Sequence, residues 1–138
     1  MFVLNERLAA DTVTIGALAL CRVLMMANRA WPWLVLVPQR PGIREIHELG
    51  REDRALLVEE VAQASLAMER LHAPDKLNVG ALGNVVPQLH LHVVARRVGD
   101  PAWPGPVWGS GVHEPFPPEA LAAEAARFAA ALGLAPPA

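Results

Sequence analysis

Residues 84–97 read NVVPQLHLHVVARR. Two histidines, His90 and His92, stand two apart in a run otherwise made of Leu and Val, and Gln88 stands two before them. In an extended chain, alternate side chains share a face. A strand over 88–96 therefore points Gln88, His90 and His92 one way and Leu89, Leu91 and Val93 the other, into a core. A face meeting bulk water would more commonly carry Lys, Glu or Thr. The polar parity of this strand calls for an explanation beyond solvation.

The flanks say what such a strand packs against. KLNVGAL (76–82) reads as a preceding strand, and Gly83-Asn84 turns into the quoted stretch. Further back, WLVLV (33–37) is a continuous apolar run between Pro32 and Pro38, the pattern of a strand buried on both faces. Trp31-Pro32 makes the corner before it. ALCRVLMMAN (19–28) reads as another strand, TVTIG (12–16) is a short β-branched piece, and FVLNERL (2–8) reads as a strand or an irregular arm. QRPG (39–42) is a turn, and IREIHEL after it suits one helical turn. From Arg51 to Leu71 the period changes. Leu56, Leu57, Val61, Ala64, Leu66, Met68 and Leu71 fall largely at helical spacing, with acids early at Glu52, Asp53, Glu59 and Glu60. Pro74 ends this main helix. The segment 99–118 is rich in Pro, Gly and Trp, lacks core periodicity, and is expected to wrap over the domain or a partner subunit. EALAAEAARFAAAL (119–132) is a C-terminal helix by propensity, with Gly133 as its stop. Strands, one long helix and two more strands give an α+β class, with the helix on one sheet face. We expect one domain over 1–138.

Composition excludes several functions. The 138 residues carry a formal net charge of -2, so no global field draws the chain to nucleic acid or anionic lipid. One cysteine, Cys21, rules out an intrachain disulfide and a cysteine-built zinc site. No apolar run approaches the ~20 residues that span a bilayer. The first residues lack a basic-then-apolar leader pattern, and the expected location is the cytoplasm.

Two chemistries suit the histidine pair. His-x-His on a strand can converge on a metal ion, but needs a third ligand that the sequence does not place. Alternatively, one imidazole attacks an electrophile while its neighbour holds tautomer or charge, with the Gly83-Asn84 turn supplying N–H groups for an anion. A structural role for both histidines competes with these. Spacing alone leaves the choice open.

With its flanks, the stretch resembles the histidine triad (HIT) superfamily, whose signature is His-φ-His-φ-His-φ-φ with φ apolar. QLHLHVV occupies that frame, with Gln88, His90 and His92 at the three histidine positions. VLMMANRAWPWLVLVPQR resembles the family's earlier strand pair, and KLNVGALGN the strand and turn before its motif, so the similarity covers about 15 to 100. DPAWPGPVWG (100–109) resembles the tail of a bacterial branch that also has Gln at the first motif position. The resemblance implies a five-stranded antiparallel sheet, with one long helix packed on it, usually paired into a homodimer. It implies a nucleotide hydrolase or nucleotidyl transferase acting at the α-phosphate, on a purine nucleotide or nucleotide conjugate, with no cofactor or metal required. His90 would be the nucleophile and His92 would hydrogen-bond near the phosphate. Asn28 would grip the ribose, Asn78 would lie near the leaving group, and Gly83, Asn84 and Val85 would border the phosphate.

Two departures stand out. Gln88 replaces a histidine; it could orient His90 or bind a phosphate oxygen but cannot act as an acid. Trp33 stands where many family enzymes have another histidine, and its indole only donates. Proton donation to a leaving group would then fall to His92 or be unnecessary. A nucleotide-binding protein with weak catalysis is thus an alternative to an enzyme. Trp103 and Trp108 suit packing, base stacking or a subunit interface. Arg96 and Arg97 suit a solvated strand end, Cys21 a core position, and His47 and His72 surface or helix-end positions. His113 suits a solvated loop, or a reach into a neighbouring site as the missing acid.

Overall fold

The computed structural model describes residues 1–134. Five strands form one antiparallel sheet: β1 (Thr12–Ala17), β2 (Cys21–Met26), β3 (Trp33–Pro38), β4 (Lys76–Gly80) and β5 (Leu91–Arg96). Their spatial order is β1-β2-β3-β5-β4, so the two prolines flank a strand at the sheet centre. Every residue of β3 and of β5 is buried. The α+β class and the five-stranded antiparallel sheet expected from the sequence are both present.

Helix α1 is short (Glu6–Asp11), α2 is long (Arg51–His72) and α3 follows near the end (Pro118–Ala131). A single 3-10 turn, Ile46–Glu48, precedes α2. Alternation divides the core into two layers. On one face Val23, Met25, Leu34, Leu36, Leu91 and Val93 pack under α2 and α3, against Leu57, Met68 and Phe128. Burying each such side chain contributes about 1.5–3 kcal/mol. On the other face Leu24, Trp33, Val35 and Val94 meet no long helix. Leu8 of α1 and Val86, Val107 and Trp108 of irregular segments cover them. The Pro/Gly/Trp segment therefore wraps over its own domain, as one of the two expectations held.

The structure decides one open reading, corrects two others and adds a buried acid. The first residues form an irregular arm and then α1, not a strand; the Asn5 side chain accepts from the Arg7 N–H and starts the helix. The motif strand begins at Leu91 rather than Gln88. Pro87 has no N–H to give a ladder, the Leu89 N–H goes to the Ile43 carbonyl, and the Gln88 carbonyl meets the His90 ring. Glu60, one of the acids early in α2, faces inward. It is 3% exposed and accepts from the Leu20 and Cys21 N–H groups, at 2.8 and 2.7 Å, tying α2 to the β1–β2 turn. Arg96 is not a solvated strand end. It is 1% exposed and paired to Asp100 through two nitrogens, at 2.7 and 2.9 Å, with Trp31 and Trp103 on its guanidinium faces. This cluster anchors the start of the wrapping segment to the sheet. Among the described residues, no helix is long and apolar enough to cross a membrane.

Candidate functional site

The second sheet face carries the site. His92 lies on β5 opposite Val35 of β3 and Gly80 of β4. Trp33 is its diagonal neighbour on β3, opposite Val94. The Trp33 Nε1–H donates to Nδ1 of His92 at 2.9 Å. An indole only donates, so Nδ1 of His92 is the bare nitrogen and Nε2 carries the proton. Burial, reinforced by the charge of neighbouring His90, pulls the His92 pKa down to about 4. His92 is therefore a neutral donor through Nε2 at ordinary pH.

His90 has the opposite tautomer. Its Nδ1 lies 2.6 Å from the Gln88 carbonyl oxygen. A carbonyl only accepts, so Nδ1 holds a proton, and in the neutral ring Nε2 keeps its lone pair. The two rings sit 5.0 Å apart, nearly edge to face. One offers a nucleophilic nitrogen, the other a hydrogen bond. The chain sets both states with ordinary groups, a backbone carbonyl and an indole.

The Gln88 side chain turns away from the histidines. Its Oε1 accepts from the Asn5 N–H at 2.9 Å and its Nε2 donates to the Val3 carbonyl at 2.8 Å. The amide thus clamps the N-terminal arm, whose Arg7 and Leu8 wall the cleft. Of the two roles expected for Gln88, orienting His90 falls to its backbone, and its amide is engaged with the arm.

A cleft of about 310 Å³ runs over this face, lined by Gly83, Asn84, Val85, His90, His92 and Trp33. Six of the nine residues expected at the site thus border one space. Gly83 has φ +80°, a left-handed conformation that a side chain would strain. Among the described residues, no hydrogen bond takes the N–H groups of Gly83, Asn84 or Val85. These donors are free for an anion.

Asn28 lies in the adjoining cavity, of about 480 Å³, which shares Asp11, Met26 and Trp33 with the cleft. Its amide is already engaged: Nδ2 donates to the Val112 carbonyl, and Oδ1 accepts from the Ala30 and Glu114 N–H groups. It holds the wrapping segment in place beside the cavity, where His113 also lies. Asn78 is the outlier. It sits on β4 opposite Val94, and its Oδ1 accepts from Arg96 at 2.8 Å, so it supports the buried arginine.

Trp108 belongs to the site, a role that the sequence offered only as one of several. Its ring is 5.4 Å from that of His92 and covers Gly80, where a Cβ would come within 3.1 Å of the indole. The bare glycine opposite His92 lets the wrapping segment close the cleft. Its buried Nε1–H has no partner among the described residues.

Residues 7–99 match the family model described as HIT domain. The chain belongs to the HIT family. This HIT protein is similar to a histidine triad protein of Marinobacter aquaeolei VT8, at 50% identity and TM-score 0.93, over 96% of this chain and 97% of that one. It is also similar to a histidine triad protein of Sinorhizobium meliloti 1021, at 50% identity and TM-score 0.89, over 92% and 94% of the two chains. A third, from Bradyrhizobium japonicum, shares 44% identity at TM-score 0.87 over 96% of each chain. No curated protein matches. Among the described residues of this HIT protein, no group of three or more His, Cys, Asp or Glu side chains is placed to hold a metal ion.

Proposed function

We propose that this HIT protein hydrolyses or transfers nucleotides at the α-phosphate through a nucleotidyl-histidine intermediate on His90. Family membership supports a nucleotide-binding or hydrolase-type function in general. The observation that carries the finer reading is the 2.6 Å contact from His90 Nδ1 to the Gln88 carbonyl, which makes Nε2 the lone-pair nitrogen of the neutral ring, in a cleft bordered by free backbone donors.

In this scheme the nucleotide fills the cleft and the adjoining cavity beside Trp33. Nε2 of His90 attacks phosphorus and forms the N–P bond. The P–O bond to the leaving group breaks, and its electron pair stays on the leaving oxygen. Charge building on the phosphate oxygens meets the Nε2–H of His92 and the N–H groups of Gly83 to Val85. Water or another acceptor then attacks phosphorus, its proton passes to solvent, and the electron pair of the N–P bond returns to Nε2. No cofactor is required by these steps. A homodimer and a cytoplasmic location remain part of the proposal.

His92 is a poor acid here. To donate as an imidazolium it would need a proton on Nδ1, where Trp33 already points its own N–H. That feature favours the second reading, nucleotide binding with weak turnover, for any substrate whose leaving group must be protonated. An adenylated fluorogenic phosphoramidate and adenosine p-nitrophenyl phosphate separate the cases. Wild type is expected to release nitrophenolate readily and amine slowly, and His90→Ala to release neither. If wild type and His90→Ala are equally inactive on both while nucleoside monophosphate still binds, the binding-only reading replaces ours.

A further inference from the structure

The cavity beside the cleft, of about 480 Å³, is lined mostly by apolar groups, among them Met26, Trp33, Phe116 and Leu121, and suits a planar base. Its polar side chains are Asp11, Asn28 and His113. Asn28 is spent, with both atoms of its amide on backbone groups of residues 30, 112 and 114. Asp11 borders this cavity and the cleft alike. A nucleotide with its phosphate at His90 and its base in the cavity runs past this carboxylate.

Asp11 is fixed in place and left unfilled. Its carbonyl accepts from the Ala27 N–H at 3.0 Å, and Thr12 beside it pairs with Met26, so the end of α1 is held against the end of β2. Among the described residues, the carboxylate has one ionic neighbour, Arg7, at 3.7 Å, and the pair is exposed. Exposed pairs of this kind contribute little to stability. The position brings the fold no gain either: Asp11 closes α1, where the carbonyl ends of a helix disfavour a negative charge.

We infer that Asp11 selects guanine among the nucleobases, by accepting from the N1–H and the 2-amino group along one edge of the ring. The inference rests on the reading of the cleft and its adjoining cavity as the nucleotide site. An ionised carboxylate only accepts, and its two oxygens match two neighbouring donors. Guanine carries two such donors side by side. Adenine carries one, its 6-amino group, beside the bare N1 lone pair, which a carboxylate repels. A site built to hydrogen-bond a donor rejects the analogue that lacks it, because its own polar group is then left unpaired.

Nucleoside monophosphates titrated by calorimetry read the choice without any turnover. Wild type is expected to bind guanosine monophosphate about tenfold more tightly than adenosine monophosphate. Inosine monophosphate, which keeps the N1–H and lacks the 2-amino group, is expected to fall between them. Asp11→Ala is expected to bring the guanine nucleotide down to the level of the adenine nucleotide, whose own affinity stays unchanged. The Asp11→Asn amide both donates and accepts, which matches N1 and the 6-amino group of adenine, so there the order is expected to reverse. Urea unfolding is expected to find both variants as stable as wild type. Equal binding of the two nucleotides by wild type, or a guanine preference that survives in Asp11→Ala, overturns the assignment and leaves the nucleotide site standing. A preference for both nucleotides over their 2′-deoxy forms, lost in Asp11→Ala without any choice of base, gives the carboxylate to the ribose and overturns it too. If wild type binds no nucleoside monophosphate, the reading of the cleft itself fails, and the inference falls with it.

Discussion

Trp33 donates its indole hydrogen to the ring nitrogen of His92 that an acid would need to protonate, across 2.9 Å. A tryptophan at this position therefore does more than fill the place of a histidine. It fixes which nitrogen of His92 faces the cleft and resists any second proton. Trp33→Phe keeps the ring and removes the donor. We expect His92 in that variant to exchange between tautomers and to titrate at higher pH than in wild type. Nitrogen-15 spectra of the imidazoles check this; an unchanged single Nε2–H form would show that the indole bond does not set the state. The lost bond should cost about 0.5–1.5 kcal/mol of stability.

Burial of His92 also ties stability to pH. The unfolded chain binds a proton on this ring near pH 6.5, and the folded chain not until about pH 4. Between these values the unfolded state holds more protons, so stability is full above the upper one and falls as pH drops through the window. The loss from His92 alone should be about 2 kcal/mol between pH 7 and pH 5. Urea unfolding at both pH values, in wild type and His92→Gln, isolates it. Equal pH dependence in the two proteins would assign the loss elsewhere.

Gln88 joins the motif to the start of the chain through two hydrogen bonds from one amide. Gln88→Ala should cost about 1–2 kcal/mol and raise hydrogen exchange at the Asn5 amide. The tautomer of His90 should not change, because its partner is the residue-88 carbonyl, which any residue keeps. A switch of the His90 tautomer in this variant would contradict that division of labour.

The Arg96–Asp100 pair is buried, and the arginine holds the Asp100 carboxyl well below the usual carboxylate range. Asp100→Asn leaves the guanidinium enclosed by Trp31 and Trp103 without its counter-charge. The expected loss is about 3–5 kcal/mol by urea unfolding. A loss under about 1 kcal/mol would mean that water reaches Arg96.

Much of this was legible from local pattern. The WLVLV run between prolines announced a strand buried on both faces, and the helical spacing of Leu57, Ala64 and Met68 announced α2. The histidine pair marked the site because apolar strands rarely carry two imidazoles. What escaped depends on partners remote in sequence or off the regular period. Nothing near Gln88 shows that its amide meets Val3 and Asn5. Glu60 looks like its exposed neighbour Glu59 until the β1–β2 turn arrives beneath it. Trp108 lies in a segment with no periodicity, and its place was set by the bare face of Gly80. Asn78 is expected near the leaving group only through the family resemblance; its Oδ1 is taken by buried Arg96, a residue the sequence suggests is a solvated strand end.

The face that bears His90 and His92 is roofed by a segment before the first strand and a segment after the last, with Leu8 from one and Val107 and Trp108 from the other. During synthesis the sheet and both imidazoles emerge before residue 99, while the second roof is still to be made. A nascent chain stopped there would carry an uncovered apolar layer and two uncovered imidazoles. The cleft is thus completed late: it closes only once Trp108 has left the ribosome and come to rest on Gly80, with α3 alone still to follow.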